Sequence, residues 1–298
     1  MLGQDLAAVV FGLTSALAWG AGDFSGGLAT KRAPVFTVLA IGHGFGLLLL
    51  IGVALLWGEA FPGTTDLAWG LAAGLSGAIG LASLYQALAI GRMGLVAPVS
   101  SVVGAALPVL FGALIEGPPG ALTMAGFGLA LLGIWLVAGV GGATGGRAGL
   151  GLAVMAGCGF GVLFILLDRV SEGAVFWPLA AARCGSFALV LLILFIRRGY
   201  HYQEPRTENQ PSAPSSRFLV LGSPVLIAML LAGALDVAGN VFFVLATQSG
   251  RLDIAAIFSS MYPAATVLLA ALLLGERVSR PQLAGIGAVL AAVVLITR

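Results

Sequence analysis

Apolar residues fill the chain in ten stretches that meet or approach the roughly 20 helical residues needed to cross a bilayer core of about 30 Å. They fall at 5–28, 34–57, 66–90, 94–115, 120–140, 149–169, 175–197, 219–248, 252–274 and 280–297. Between them stand breakers and charges: Lys31-Arg32-Ala33-Pro34, Glu59 to Asp66, Gly91-Arg92, Glu116-Gly117-Pro118-Pro119, Gly141 to Arg147, and Glu276 to Arg280. Such clusters end helices. The pattern predicts an all-α integral membrane protein of ten transmembrane helices, most of them antiparallel neighbours across short turns. The exception is the polar segment 199–217, with Glu204, Pro205, Asn209, Pro211 and Pro214, whose composition suits a flexible surface loop.

One unit occurs twice. A shift of 159 positions carries Gly91, Arg92, Ala97, Ser100, Ser101, Ala105, Ala106, Ala125, Gly126 and Gly128 onto Gly250, Arg251, Ala256, Ser259, Ser260, Ala264, Ala265, Ala284, Gly285 and Gly287. Upstream, a shift of 140 carries Val35, Phe36, Leu39 and Ala40 onto Val175, Phe176, Leu179 and Ala180, and His43 onto Arg183. The difference between the shifts matches the polar insert of the second copy. The expected units are 1–145 and 146–298, five helices each. Five is odd, so the second copy enters the membrane from the opposite side, and the two form inverted five-helix repeats. Secondary transporters use that arrangement to build a midplane site reached alternately from the two sides.

Hydrophobic residues make up 59% of the chain and charged ones 9%, with mean hydropathy +1.08, a balance that excludes a water-facing globule. No cleavable signal peptide is expected, since Asp5 rather than Lys or Arg precedes the first run. Cys158 and Cys184 lack CxxC spacing and read as small core residues. Lys and Arg crowd one set of turns, ten against three on the other side, which by the positive-inside rule puts both termini outside. Gly reaches 45 residues, and such small residues let transmembrane helices approach closely. Gly42-x-Gly44-x-Gly46, Gly70-x-x-x-Gly74 and Gly126-x-Gly128 lie inside apolar runs without the strand or Lys of a phosphate loop, so they are read as helix-packing surfaces.

Four ionisable groups lie deep in the runs: Asp23, His43, Arg183 and Asp236. A charge in hydrocarbon costs several kcal/mol, so each is expected to be paired or to face water. Depth counted from shared turns allows two pairings, Asp23 with His43 and Arg183 with Asp236. These are either a polar interior that binds substrate or takes up a proton, or fixed pairs that orient their helices. Ser100-Ser101 and Ser259-Ser260 occupy matching places in the two copies, with Pro98 and Pro263 near them. Proline frees a carbonyl, and a helix broken beside paired hydroxyls suits a midplane site. The plain alternative is serine bonded to its own helix and proline as a simple kink. Trp19, Tyr85, Gln86, Asn240, Gln248 and Tyr262 supply aromatic walls and amides for a cavity, Asn240 being one turn after Asp236. Trp57, Trp69, Trp135 and Trp177 lie near run ends, as interfacial anchors do.

Trp19-Gly20 in the first run, Pro178 to Arg183 in the seventh, and the Gly91-Arg92 turn together resemble EamA-type members of the drug/metabolite transporter superfamily over nearly the whole chain. So do Leu274-Gly275-Glu276-Arg277 and the Gly285-x-Gly287 that follows; the Leu-Gly-Glu turn is the most specific piece. The resemblance implies a ten-helix carrier of small polar or amphipathic solutes, such as amino acids, nucleosides or drugs, commonly an exporter in the plasma (inner) membrane. It implies no cofactor and no metal. Its partners would be a small-molecule solute, membrane lipid and protons as a coupling ion. Three departures stand out. The first run has no glutamate of the kind that couples protons in small multidrug relatives, His43 stands where the second copy has Arg183, and the family habit of cytoplasmic termini opposes the charge count. A lipid flippase or passive channel shares this architecture. A membrane-embedded enzyme lacks support, since neither HExxH nor GxSxG occurs.

Overall fold

The computed structural model describes residues 2–30, 32–90, 93–115, 117–138, 149–199, 224–274 and 279–296, and every regular element among them is an α-helix. A helix satisfies its own backbone polar groups, which is what an apolar solvent demands of an open segment. In chain order the helices are α1 (Leu2–Thr30), α2 (Val35–Trp57), α3 (Thr64–Ile90), α4 (Met93–Ile115), α5 (Ala121–Ala138) and α6 (Leu150–Asp168). They continue with α7 (Phe176–Gly199), α8 (Pro224–Ser249), α9 (Leu252–Ser259), α10 (Tyr262–Leu274) and α11 (Arg280–Ile296). Six segments are long and apolar enough to cross a membrane on length and composition: Leu6–Thr30, Val35–Trp57, Thr64–Leu84, Leu150–Asp168, Phe176–Ile196 and Pro224–Ser249. Val99–Ile115 and Ala121–Leu136 are shorter apolar helices. The Lys31, Gly91-Arg92 and Gly275-Glu276-Arg277 turns and nearly all of the 199–217 loop lie outside the described residues, as does the side chain of Tyr85.

The ends follow the turn chemistry. Pro34 precedes α2, where its missing N–H costs nothing, and Gly58 closes α2 in the left-handed region at φ 70°, its N–H returning to Ala54 and Leu55 carbonyls. Across the bundle, Glu59 accepts hydrogen bonds from the Val175 and Phe176 N–H groups at 3.0 and 2.8 Å, capping the positive end of α7.

The single run expected at 252–274 is two helices. Pro263 has no N–H to give the Ser259 carbonyl, and the chain tightens there, with Met261 N–H bonding to Phe258 and Ala264 N–H to Met261. In the first copy α4 continues without a break through Ser100 and Ser101 although it contains Pro98 and Pro108; the position matching Pro263 is Gly104. The matching hydroxyls thus stand on one broken and one continuous helix.

Packing repeats as the sequence does. Helices α1 and α8 pack together as α6 and α3 do, α2 meets α8 as α7 meets α3, and α9 and α10 meet α1 as α4 meets α6. The equivalence extends to single residues. A Cβ on Gly74 would strike the backbone of Ala182, and one on Gly233 would strike Gly42; the glycines are 159 positions apart and their partners 140. Gly70 lies on Pro178 in the same way. Most close helix pairs therefore join one copy to the other, so the halves interlock.

Large apolar side chains such as Leu56, Trp57, Leu114, Phe195 and Leu272 face outward, as they would toward lipid. Trp69 and Trp135 are also exposed, while Trp177 turns inward enough to donate its indole N–H to the Glu59 carbonyl. Two expectations fail. A Cβ on Gly128 would meet nothing within 4 Å, so that glycine is not a packing surface, and Cys184 is exposed rather than part of the core.

Gly74→Ala and Gly233→Ala should each lower the melting temperature of the detergent-solubilised protein, overpacking of this kind costing about 1–3 kcal/mol. Gly128→Ala should leave it unchanged or raise it, since alanine is the better helix former by up to about 1 kcal/mol. Equal melting of all three would refute the packing argument.

Candidate functional site

A cavity of about 170 Å³ lies between the two halves of the chain. A water needs only about 10–15 Å³ by this measure, so there is room for a small solute. Helices α1 to α4, α6, α7, α8 and the start of α10 line it; no described side chain of α5 or α11, which pack on each other, is among the lining.

Its floor is aromatic. Trp19 stacks on Phe164 at 5.5 Å between ring centroids, and Phe164 on fully buried Phe243 at 4.5 Å. Trp19 reaches this position because Gly239 of α8 leaves it room. Beneath the stack, Leu50, Leu167, Leu179, Val244 and Leu252 form a buried apolar cluster. Below that, hydrogen bonds tie the connections at this end of the bundle. Asp66 accepts from the N–H and hydroxyl of Ser171, both at 2.9 Å. Gln248 donates to the Ser171 and Ala174 carbonyls, and Arg251 bonds both to Asp253 and to the Gly117 carbonyl.

The polar side of the cavity comes from α1, α2, α7 and α8. Arg183 donates to Asp236 across the α7 and α8 interface. The pair is unevenly sheltered: the Arg183 side chain is 11% exposed and that of Asp236 39%. Asn240, one turn further, donates back to the Asp236 carbonyl at 2.6 Å. Asp23 is exposed and lines the cavity from α1. His43 is buried with its Nδ1 lacking a hydrogen-bond partner, so the pairing of Asp23 with His43 that depth allowed is not made. Opposite, the hydroxyls of Ser101 and Tyr262 meet at 3.1 Å, joining continuous α4 to the broken end of α10.

The cavity therefore collects Trp19, Asp23, His43, Ser100, Ser101, Arg183, Asp236, Asn240, Ser260 and Tyr262. Three expected members fall elsewhere. Ser259 is fully buried behind the lining with its hydroxyl unpartnered, as is that of Ser100; Gln86 is exposed outside the cavity, and Gln248 serves the hydrogen-bonded end. Among the described residues no group of three or more His, Cys, Asp or Glu could hold a metal ion.

The model of the EamA-like transporter family matches residues 6–139 and again 147–298. The chain belongs to the EamA-like transporter family. Both matches together span nearly all of it, one over each copy, which points to a membrane transporter rather than an enzyme. The fold is also that of a protein known from a crystal structure, at TM-score 0.77 and 18% identity over 97% of this chain and 98% of the other. No curated protein gives a significant sequence match.

The lining of this EamA-like chain also includes Phe160, Phe164 and Ser186, which the sequence pattern does not single out. A signal for one of them was present. A Cβ on Gly80 would meet the Phe160 ring as one on Gly239 would meet Trp19, and the two glycines are 159 positions apart, so Phe160 is the second copy's Trp19.

Asp236→Asn and Arg183→Ala should each destabilise this transporter, because removing one partner of a sheltered pair leaves the other charge uncompensated. The double variant should recover part of the loss, with a coupling of about 0.5–3 kcal/mol. Melting of the four proteins completes the cycle; strictly additive losses would show that the pair carries no coupling.

Proposed function

We propose that this EamA-like protein is a secondary carrier that moves a small polar or amphipathic metabolite through the cavity by alternating access, as an exporter in the plasma (inner) membrane. In this reading ten crossing segments, α9 and α10 counting as one, form two inverted repeats, 1–145 and 146–298, related by a two-fold axis in the membrane plane. A midplane cavity at a repeat interface beside a discontinuous helix is the arrangement found in such carriers. The observation that carries the reading is a cavity between the two copies that is closed at one end. At one end lie the aromatic floor, the apolar cluster and the Asp66–Ser171 hydrogen bonds. These form a latch, and the solute enters or leaves past the opposite end. Transport then requires that the latch open while the other end shuts. Because the two copies make related contacts with each other, such a swap needs rocking of helices and no new fold. No ATP-binding motif occurs in the sequence, so the energy comes from a gradient of the solute or of protons.

The test needs no known substrate. In protein freed of Cys158 and Cys184, Leu81→Cys places a thiol in the cavity, and Asp66→Cys with Ser171→Cys spans the latch. A membrane-impermeant thiol reagent should reach residue 81 from either side of reconstituted vesicles when the latch is free. After a short bifunctional reagent joins positions 66 and 171, it should reach residue 81 from one side only. Labelling from both sides after cross-linking would refute alternating access.

A further inference from the structure

Resting on the carrier reading, we infer that the cavity takes an organic cation, a solute with one protonated amine on a small apolar or aromatic body, and that Asp23 is its anchor. Among the described residues, the ionisable groups that face the cavity are Asp23, His43, Arg183, Asp236 and Tyr262. Of these, the guanidinium of Arg183 is engaged by Asp236. That leaves a second carboxylate without a partner: Asp23 is exposed, lines the cavity, and no hydrogen bond or ion pair joins it to another described side chain. The backbone brings the two acids to one level, since a Cβ on Gly22 would lie 3.5 Å from the Asp236 nitrogen, so α1 and α8 are nearly in touch there. Two negative groups side by side and one positive leave the site short of a single positive charge.

The surroundings choose the kind of cation. Trp19 is four residues before Asp23, hence on the same face of α1 one turn away. An ammonium bonded to Asp23 would therefore lie close to the indole of Trp19, which stacks on Phe164 and Phe243 and belongs to the aromatic lining. Phe160 and Phe164 continue the wall, giving the rest of the solute an apolar bed. A bare sodium or potassium ion takes a shell of several oxygens and would leave the aromatic lining unused. An anionic solute would have to displace Asp236 from Arg183 while facing Asp23. The duplication sharpens the point, because Asp23 and Asp236 have no acidic counterparts: Gly77 lies 159 positions before Asp236, and Phe164, not a carboxylate, holds the place on α6 that follows Phe160 as Asp23 follows Trp19.

The experiment uses the purified full chain at pH 8, where an ordinary histidine is neutral. Melting is followed against tyramine, its carboxylate analogue 4-hydroxyphenylpropionate, the neutral alcohol tyrosol, and sodium chloride. Tyramine should raise the melting temperature saturably and the other three should not. Asp23→Asn should weaken tyramine about ten- to hundredfold. Asp23→Glu should restore part of the affinity, and circular dichroism should show both variants folded. Stabilisation by the carboxylate instead, by sodium alone, or by tyramine undiminished in Asp23→Asn would each overturn the inference. Counterflow of radiolabelled tyramine in proteoliposomes separates this from the carrier reading: binding without counterflow refutes the carrier and leaves the cation site standing, whereas counterflow of the carboxylate does the reverse.

Discussion

Everything in this bundle depends on how closely α3 and α7, and α8 and α2, approach. In lipid, helices gain nothing from hiding apolar surface from water, so association rests on packing and a few hydrogen bonds. Gly74 on Ala182 and Gly233 on Gly42 bring backbones into direct contact at two related places. Those contacts set the level at which α7 and α8 face the interior. Arg183 follows Ala182 by one residue, and Asp236 follows Gly233 by three. The ion pair is thus a consequence of the glycine contacts, which hold its two helices in register from either flank.

Duplication gave the chain a symmetric frame, and divergence then loaded it unevenly. The frame keeps matched features in both halves: Ser100 and Ser101 against Ser259 and Ser260, and Trp19 against Phe160. The charges are not matched. His43 answers Arg183, Gly77 answers Asp236 and Leu81 answers Asn240. The acidic groups of the cavity therefore lie on helices of both copies without matching one another across the duplication.

The sequence displayed the frame more clearly than the site. Length of apolar run and the odd repeat marked the helices, because hydrocarbon thickness and backbone satisfaction leave little freedom. Depth counting found Arg183 with Asp236, since two groups on neighbouring helices at one level must meet if both face inward. The same counting allowed Asp23 with His43, and there it failed. Depth fixes height along the membrane normal but not the direction in which a side chain turns: Asp23 and His43 both line the cavity without bonding to each other, Asp23 exposed and His43 buried. Gln248 and Ser259 were misplaced for the same reason. Phe164 carried no mark at all, being one apolar residue among many.

The break between α9 and α10 shows how a single residue separates two equivalent helices. Pro263 and Gly104 hold the same place, and only the proline lacks the N–H that the fourth carbonyl back would accept. The chain bends at Ser260, and two side chains secure the loosened end: the Tyr262 hydroxyl meets Ser101, and Thr266 bonds to the Gly20 carbonyl at 3.2 Å. Both tethers cross from one copy to the other. A helix broken at the cavity and tied to its partners by hydroxyls can swing about the break without losing a backbone hydrogen bond to lipid. On the continuous side α4 carries Pro98 and Pro108 and stays one helix, so the break belongs to the second copy alone, where α9 and α10 stand against α1 and Tyr262 reaches the cavity.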